Sequence, residues 1–285
     1  MQVIEQASAI RSIVQALRCS GKSIGFVPTM GALHNGHLQL IRAAAQQNDI
    51  TICSVFVNPT QFNNQEDYKL YPRSLEQDTA ALAAVGCDYL FAPTAADMYP
   101  EQSLLHFSFG VLEEVMEGAH RPGHFNGVAI IVSKLFHLVQ PHRAYFGQKD
   151  LQQVAVVRQL VQGLGFDLEV VCYPTIREAS GLAMSSRNKR LDVQQLEHAT
   201  HLHKALLRAE AQIGAKPVAA IKEDIVAYLA KVPQLQLEYF EIANPATLQP
   251  VPDLSAEPEV ALCIAAHVGP VRLIDNMIVK VLQQA

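Results

Sequence analysis

Hydrophobic and polar positions change period several times along the chain. Apolar residues three and four apart over residues 3–18 predict an amphipathic helix. Short apolar runs at 23–27, 50–57 and 87–91 predict strands, and helical patterns separate them. The β-branched run at 50–57 is typical of a parallel strand buried on both faces. Strands that alternate with helices predict an α/β fold with a doubly wound parallel sheet.

The second half of the chain continues this alternation and then changes character. Residues 128–139 and 151–164 predict helices, while 143–146 and 168–173 predict strands. Beyond residue 190, helical patterns at 193–213 and 217–231 precede strand patterns at 235–242, 260–267 and 271–279. We therefore expect a larger domain over residues 1–176, followed by a smaller α/β domain over residues 177–285.

Proline and serine predict where several of these elements begin or end. Pro28 lacks an N–H and is expected to end the first strand. Ser74 and Gln77 have the spacing of a capping box at the start of a helix. Pro217 is expected at the first position of its helix.

The stretch at 26–41 carries the strongest chemical signal. An apolar strand leads through Gly31 and Gly36 into a helix, and His34 and His37 lie at the turn. Such a turn directs free N–H groups and the positive end of the helix dipole at one spot, which suits a phosphate. The two imidazoles share a face and could both reach a phosphate oxygen. A solvated helix start is the alternative, while zinc is disfavoured because no Cys or acidic ligand lies at metal spacing.

Other polar residues follow predicted strands, where ligands bind in open α/β sheets. Asn58 and Gln61 follow the strand at 50–57, and Lys149 follows the strand at 143–146. Each could instead be an ordinary solvated loop residue. The hydroxyl-rich segment 181–188, with Arg187, resembles a loop that closes on phosphates, or else a linker between domains. Residues 121–125 form a Gly/Pro loop that either closes over a site or connects two elements.

Composition narrows the function classes. The chain has 285 residues, 49% of them hydrophobic, and a formal charge of −5, which argues against nucleic-acid or anionic-membrane partners. No stretch reaches the ~18 apolar residues of a membrane span. Five scattered cysteines without C-x-x-C favour a reducing, cytoplasmic location. His198, His201 and His203 share a predicted helix but have no neighbouring acids, so we favour solvated side chains over a metal site.

Six motifs follow in order between residues 28 and 188: PTMGALHNGH, VFVNPTQF, YPRS, RPGHFNGV, YFGQKDLQQ and PTIREASGLAMSSRN. Together they resemble the pantoate–β-alanine ligase family, within the nucleotidylyltransferase superfamily that shares the H-x-G-H signature. The resemblance implies that ATP and pantoate form pantoyl adenylate and pyrophosphate, and that β-alanine then gives pantothenate and AMP. It also implies that residues 1–176 form a Rossmann-like catalytic domain and that residues 177–285 close over its site. The same resemblance implies a cytoplasmic homodimer.

The resemblance also implies roles for individual residues. Those matching the family's catalytic clamp on the ATP phosphates are His34, His37, Lys149, Ser185, Ser186 and Arg187. Further matches to its ATP-binding segments are Met30, Gly31, Gly147, Gln148, Asp150, Ile176 and Met184. Gln61 and Gln153 match pantoate-binding glutamines, and Gln61 is also expected to contact β-alanine. Magnesium should accompany ATP, with Asp78 as a candidate ligand.

Two other functions remain open at this point. A nucleotidylyltransferase of another cofactor pathway would release pyrophosphate without needing β-alanine. A non-catalytic nucleotide sensor would keep the histidine turn but would not need the paired glutamines, Lys149 or the Ser-Ser-Arg segment. The joint presence of these elements favours the ligase.

Overall fold

A six-stranded parallel sheet organises the first part of the protein, in a computed structural model that describes residues 1–63 and 65–281. Its order is β1-β4-β3-β2-β5-β6. The strands are β1 (Gln2–Ile4), β2 (Ile24–Thr29), β3 (Ile50–Val55), β4 (Tyr89–Phe91), β5 (Arg143–Gly147) and β6 (Glu169–Tyr173). All their pairings are parallel, which confirms the predicted fold class.

Helices cover both faces of this sheet. Side chains alternate between faces along each strand, so Phe26 packs on one side and Val27 on the other, in separate apolar clusters. The helices of this part are α1 (Ala7–Cys19), α2 (Asn35–Gln47), α3 (Gln65–Leu70), α4 (Leu75–Ala84), α5 (Ala95–Met98), α6 (Met116–His120), α7 (His124–Val139) and α8 (Leu151–Leu164). Between them they bury the β-branched strands on both sides.

The strand order places a crevice next to β2. The chain moves outward from β2 to β3 and β4, then returns to form β5 on the opposite side of β2. At such a switch point the following connections leave in opposite directions, and ligands bind beyond the carboxyl ends of the strands. The histidine turn after β2 and the segment after β5 therefore face the same crevice.

Several predicted boundaries are wrong. The apolar pattern predicts Val3 and Ile4 in the first helix, but they belong to β1, because Gln2–Ile4 pairs with Tyr89–Phe91 at the sheet edge. The strand β2 continues through Pro28 to Thr29. The strand β2 pairs with β5 only through Gly25 and Phe26, so the missing N–H of Pro28 interrupts no hydrogen bonds between these two strands.

Two predicted helix starts also differ in detail. Ser74 precedes α4, but its side chain caps no backbone N–H and instead donates to Asp78 Oδ1 at 3.3 Å. Pro217 is the N-cap of its helix rather than the first helical residue.

The C-terminal part forms a smaller layer of two helices on an antiparallel sheet. Its elements are α9 (Val193–Glu210), α10 (Val218–Leu229), β7 (Leu235–Ala243), β8 (Glu259–Val268) and β9 (Val271–Lys280). This part has its own cluster of buried apolar side chains, and Leu182 is the first of them along the chain. Ala261 and Cys263, however, pack into the cluster of the first part, so the two layers share buried surface. Within the described residues, no helix is long and apolar enough to cross a membrane.

Candidate active site

A cleft lies beyond the carboxyl ends of β2 and β5. Most of the site residues expected from sequence line it: Met30, His34, His37, Gln61, Gly147, Lys149, Asp150, Gln153, Ile176, Met184, Ser185, Ser186 and Arg187. Gly31, Asp78 and Gln148 do not line it. The fold thus brings together groups that lie far apart in the chain, from the turn after β2 to the segment that precedes α9.

Glycines shape the turn between β2 and α2. Gly31 has φ +79°, and a Cβ there would lie 2.9 Å from Val55 Cγ1. A Cβ on Gly36 would lie 2.9 Å from two atoms of the His34 ring. A side chain at the central glycine of His-x-Gly-His would therefore displace the first imidazole, which packs against the glycine backbone.

Asp78 has a different role from the one predicted. Its carboxylate is buried and accepts hydrogen bonds from the N–H groups of Ala32 (2.9 Å) and Leu33 (2.8 Å). Both oxygens thus hold the turn that precedes His34, and the side chain lies outside the cleft lining. This geometry argues against Asp78 as a magnesium ligand, because a metal would have to replace backbone donors that fix the turn.

The rings of His34 and His37 are in contact, with centroids 4.0 Å apart and planes inclined by 32°. The His34 backbone N–H donates to His37 Nδ1 at 3.4 Å, which leaves the proton of the neutral ring on Nε2. Burial and repulsion from Lys149 lower the pKa of His37 to about 4. Burial and repulsion from His37 and Lys149 lower the pKa of His34 to about 3. Both rings are therefore neutral hydrogen-bonding groups at pH 7.

Gln61 is buried and held by neighbours in its own loop and on α7. Its Oε1 accepts from Asn58 Nδ2 at 3.0 Å, and its backbone carbonyl accepts from His124 Nδ1 at 2.8 Å. A Cβ on Gly127 would lie 2.3 Å from the carbonyl oxygen of Thr60, so α7 approaches this segment closely only because residue 127 is glycine. A glycine inside an apolar helical pattern is the sequence signal for this close approach.

Lys149 is oriented from the C-terminal layer. Asn276 on β9 donates through Nδ2 to the carbonyls of Gln148 and Lys149, both at 2.8 Å. The Gln148 side chain points to Asn276 Oδ1 at 3.4 Å rather than into the cleft. Beside Asn276, Asp275 pairs with Arg177 at 2.6 Å. The sequence offers no signal for Asn276, which is 127 positions from Lys149.

The segment 184–187 forms the opposite wall. Ser185 accepts from the N–H of Arg187 at 3.2 Å, and Ser186 Oγ lies 3.2 Å from the hydroxyl of Tyr71. Arg187 Nη2 pairs with Asp67 of α3 at 2.8 Å. These contacts connect the hydroxyl-rich segment to α3 and to Tyr71, so the two walls of the cleft are in direct contact.

His198, His201 and His203 lie on α9, and none of them lines the cleft. His201, expected to be solvated, is partly buried, and its Nδ1 lies 2.7 Å from the hydroxyl of Tyr228. Across residues 1–63 and 65–281, no group of three His, Cys, Asp or Glu side chains could hold a metal ion.

Fold and site together define an α/β enzyme that binds the phosphates of a nucleotide. A histidine turn and a lysine meet at the switch point of a parallel sheet, beside amide side chains suited to a small polar substrate.

Comparison with known proteins identifies the family. The family model described as pantoate-beta-alanine ligase matches residues 2–278. The pantothenate synthetase of Cytophaga hutchinsonii is 49% identical over 259 residues, which cover 90% of this chain and 92% of the relative. The crystal structure of pantothenate synthetase from Thermus thermophilus superimposes with a TM-score of 0.91 at 44% identity, covering 97% and 99% of the two chains. The chain therefore belongs to the pantoate–β-alanine ligase family.

One similar structure is described with ligands. The pantoate-beta-alanine ligase from Francisella tularensis, complexed with beta-gamma ATP and beta-alanine, has a TM-score of 0.81 at 37% identity, and the match covers 97% of each chain.

Proposed function

We propose that this protein condenses pantoate with β-alanine at the expense of ATP. A pantoate carboxylate oxygen attacks the α-phosphorus, the bond to the β-phosphate breaks, and pyrophosphate leaves. The amine of β-alanine then attacks the acyl carbon of pantoyl adenylate; a C–N bond forms, AMP leaves with the bond electrons, and the nitrogen loses a proton. The products are pantothenate, AMP and pyrophosphate.

A single observation carries this proposal: one cleft is lined both by the phosphate-type turn and by two glutamines. His37 and Lys149 lie at strand-to-helix turns, while Gln61 and Gln153 line the same cavity. Amides can bind a carboxylate and hydroxyls without adding a charge that competes for the phosphates. The Francisella relative, described in complex with beta-gamma ATP and beta-alanine, supports both substrate classes.

The neutral histidines fit a role on the departing pyrophosphate. His37 carries its proton on Nε2 and can donate to a phosphate oxygen as negative charge develops there. Lys149 supplies a cation, and its Nζ lies 3.8 Å from Asp150, too far for a strong pair. Donors that are already in place stabilise the transition state without reorganisation. Ser185, Ser186 and Arg187 would contact the same phosphates from the facing wall.

Magnesium would accompany ATP and balance the charge of its phosphates. Within the described residues, Asp150 is the one carboxylate that lines the cleft. Magnesium commonly binds one or two carboxylates and otherwise keeps phosphate oxygens and waters. The donor set therefore fits a metal held mainly by the substrate, with Asp150 rather than Asp78 as the protein ligand.

Product analysis tests the proposed reaction. With ATP and pantoate alone, we expect one equivalent of pyrophosphate per active site, and steady AMP formation only after β-alanine is added. Pantoate labelled with ¹⁸O in its carboxylate should transfer label to AMP. Label found only in pyrophosphate or inorganic phosphate would exclude the acyl adenylate.

The family resemblance further supports a cytoplasmic homodimer with two domains per chain. All five cysteines are free, which suits a reducing compartment. The hydrogen bonds from Asn276 to the carbonyls of Gln148 and Lys149 support the proposal that residues 177–285 close over residues 1–176. Light scattering after size exclusion would measure the mass, and a monomer at micromolar concentration would contradict the dimer.

A further inference from the structure

One cation of the cleft has no role in the reaction described so far. Within the described residues, the cationic side chains that line the cleft are Lys149, Arg187 and Arg121. Lys149 follows β5 at the phosphate end, and Arg187 is paired with Asp67. Arg121 follows α6 and is linked through His124 to Gln61, on the side proposed to hold the acyl group.

Arg121 is held in place by two neighbours. His124 donates from Nδ1 to the Gln61 carbonyl, so its Nε2 is the bare nitrogen and accepts from Arg121 Nη1 at 3.2 Å. Burial lowers the pKa of His124 to about 3, which keeps the ring neutral. Arg121 Nη1 also lies 3.4 Å from Glu117 Oε2. One chain of contacts thus fixes the guanidinium relative to Gln61.

Part of the Arg121 guanidinium remains available. Glu117 makes its shorter bonds to Arg272, at 2.9 and 2.6 Å, and also accepts from Tyr239 at 2.9 Å. In the part of the chain that the structure describes, Nε and Nη2 of Arg121 have no hydrogen-bond partner. Two adjacent N–H groups of a planar cation are the donors that bind a carboxylate in bidentate fashion.

A second, smaller cavity adjoins the cleft at this point. It is lined by residues of both layers, and it shares with the cleft Arg121, His124, Lys149, Asp150 and Gln153. A short zwitterion that binds where the two cavities meet would have its carboxylate at Arg121 and its amine directed towards Gln61 and Gln153.

We propose that Arg121 binds the carboxylate of β-alanine. The inference rests on the proposed function and names the group that selects its second substrate. β-Alanine keeps its carboxylate throughout the reaction, so a permanent salt bridge to it does not impede chemistry. The pantoate carboxylate must instead become a nucleophile, for which neutral amides are better suited than a tight cation. Arg121 would thus bind the carboxylate of the amine substrate, the group that takes no part in the reaction.

The test compares two amines in the second half-reaction. Enzyme-bound pantoyl adenylate is formed from ATP and pantoate, and then reacts with β-alanine or with propylamine, which lacks the carboxylate. Arg121→Ala should raise the β-alanine concentration needed for half-maximal rate roughly tenfold to a hundredfold, the scale for losing a charged hydrogen-bonded partner. The rate with propylamine should stay unchanged, so the preference for β-alanine collapses. Arg208→Ala, which removes an arginine paired with Asp224 far from the cleft, should change neither rate.

Other outcomes would overturn the assignment. Equal losses with both amines would make Arg121 a structural residue, and slower pyrophosphate release from ATP and pantoate would place it on the first two substrates. If Arg121→Ala does not fold, Arg121→Lys tests the same assignment. The lysine keeps the positive charge, so this variant should retain part of the preference for β-alanine over propylamine. Added methylguanidine should restore that preference in the Ala variant. A wild-type protein that forms no adenylate would refute the proposed function itself, which is a separate result.

Discussion

Replacing Asn276 tests whether the C-terminal layer positions Lys149, the lysine proposed to bind the ATP phosphates. The Asn276 amide donates two hydrogen bonds of 2.8 Å, to the carbonyls of Gln148 and Lys149. Asn276→Ala removes both donors and leaves the backbone before α8 without its support from β9. The expected consequences are a loss of stability and a displaced Lys149 ammonium.

The magnitude follows from the two bonds. Each contributes about 1 kcal/mol net, and more if the carbonyl is left without a donor, so the free energy of unfolding should fall by roughly 2–3 kcal/mol. A displacement of about 1 Å at a group that positions substrate can slow catalysis about a hundredfold. We therefore expect adenylation to slow tenfold to a hundredfold. Asn276→Asp should be at least as damaging, because its carboxylate cannot donate and would face two carbonyl oxygens.

The assay is single-turnover pyrophosphate release at a temperature where each variant is folded. Asn244→Ala is the matched control, since Asn244 bonds within the C-terminal layer to Glu257 at 2.9 Å. The control should lose stability without slowing adenylation. If Asn276→Ala is destabilised but releases pyrophosphate at the wild-type rate, Asn276 does not position Lys149.

Three further predictions concern the cleft. Lys149→Ala or His37→Ala should slow adenylation roughly a hundred- to a thousandfold, yet recover most of the wild-type rate when pantoyl adenylate is supplied, because pyrophosphate is then absent. Gln153→Ala should raise the concentration of pantoate needed for half-maximal rate far more than that of ATP. The pKa of His124, about 3 because of burial, lies below the ordinary value near 6.5, so the unfolded chain takes up a proton that the native protein does not. The neutral His124 ring therefore contributes fully to stability above pH 6.5, and this contribution falls as the pH decreases. Between pH 6 and 5, the free energy of unfolding measured in urea should fall by about 1 kcal/mol more for the wild type than for His124→Asn.

Each of these has a contrary result. An equal defect with preformed adenylate would assign Lys149 and His37 to general positioning of the acyl group. Equal changes in the pantoate and ATP requirements would show that Gln153 is not selective. Parallel stability curves for wild type and His124→Asn would mean that His124 titrates normally in the native protein.

Local patterns are sufficient to predict the turn that carries His34 and His37. The turn after β2 can be predicted because its signals lie within a few residues: an apolar strand, glycines at fixed places and a following helix. Gly31 and Gly36 are needed for reasons that the structure makes explicit, positive φ at one and contact with the His34 ring at the other. The β-branched run of β3 similarly predicts a strand buried on both faces, and Ile52 and Cys53 are fully buried.

Long-range contacts explain what the sequence could not predict. The strand β1 is too short to show a period, and it exists because β4 offers an edge. Asp78 has the chemistry of a metal ligand, but the fold places its carboxylate under the histidine turn. The loop at 121–125 has no local signal that decides its role, and only the position of α7 shows that Arg121 and His124 reach the cleft.

The alternation of elements, the parallel sheet and the histidine turn can all be predicted from the sequence, because each depends on neighbours within about one helix or strand. The tertiary structure is needed to show which polar groups support that turn and that Arg121 lines the cleft. Asn276 and Lys149 illustrate the reason. Their contact joins two layers across 127 positions, and its geometry depends on how β9 packs against the sheet, which no local pattern of residues encodes.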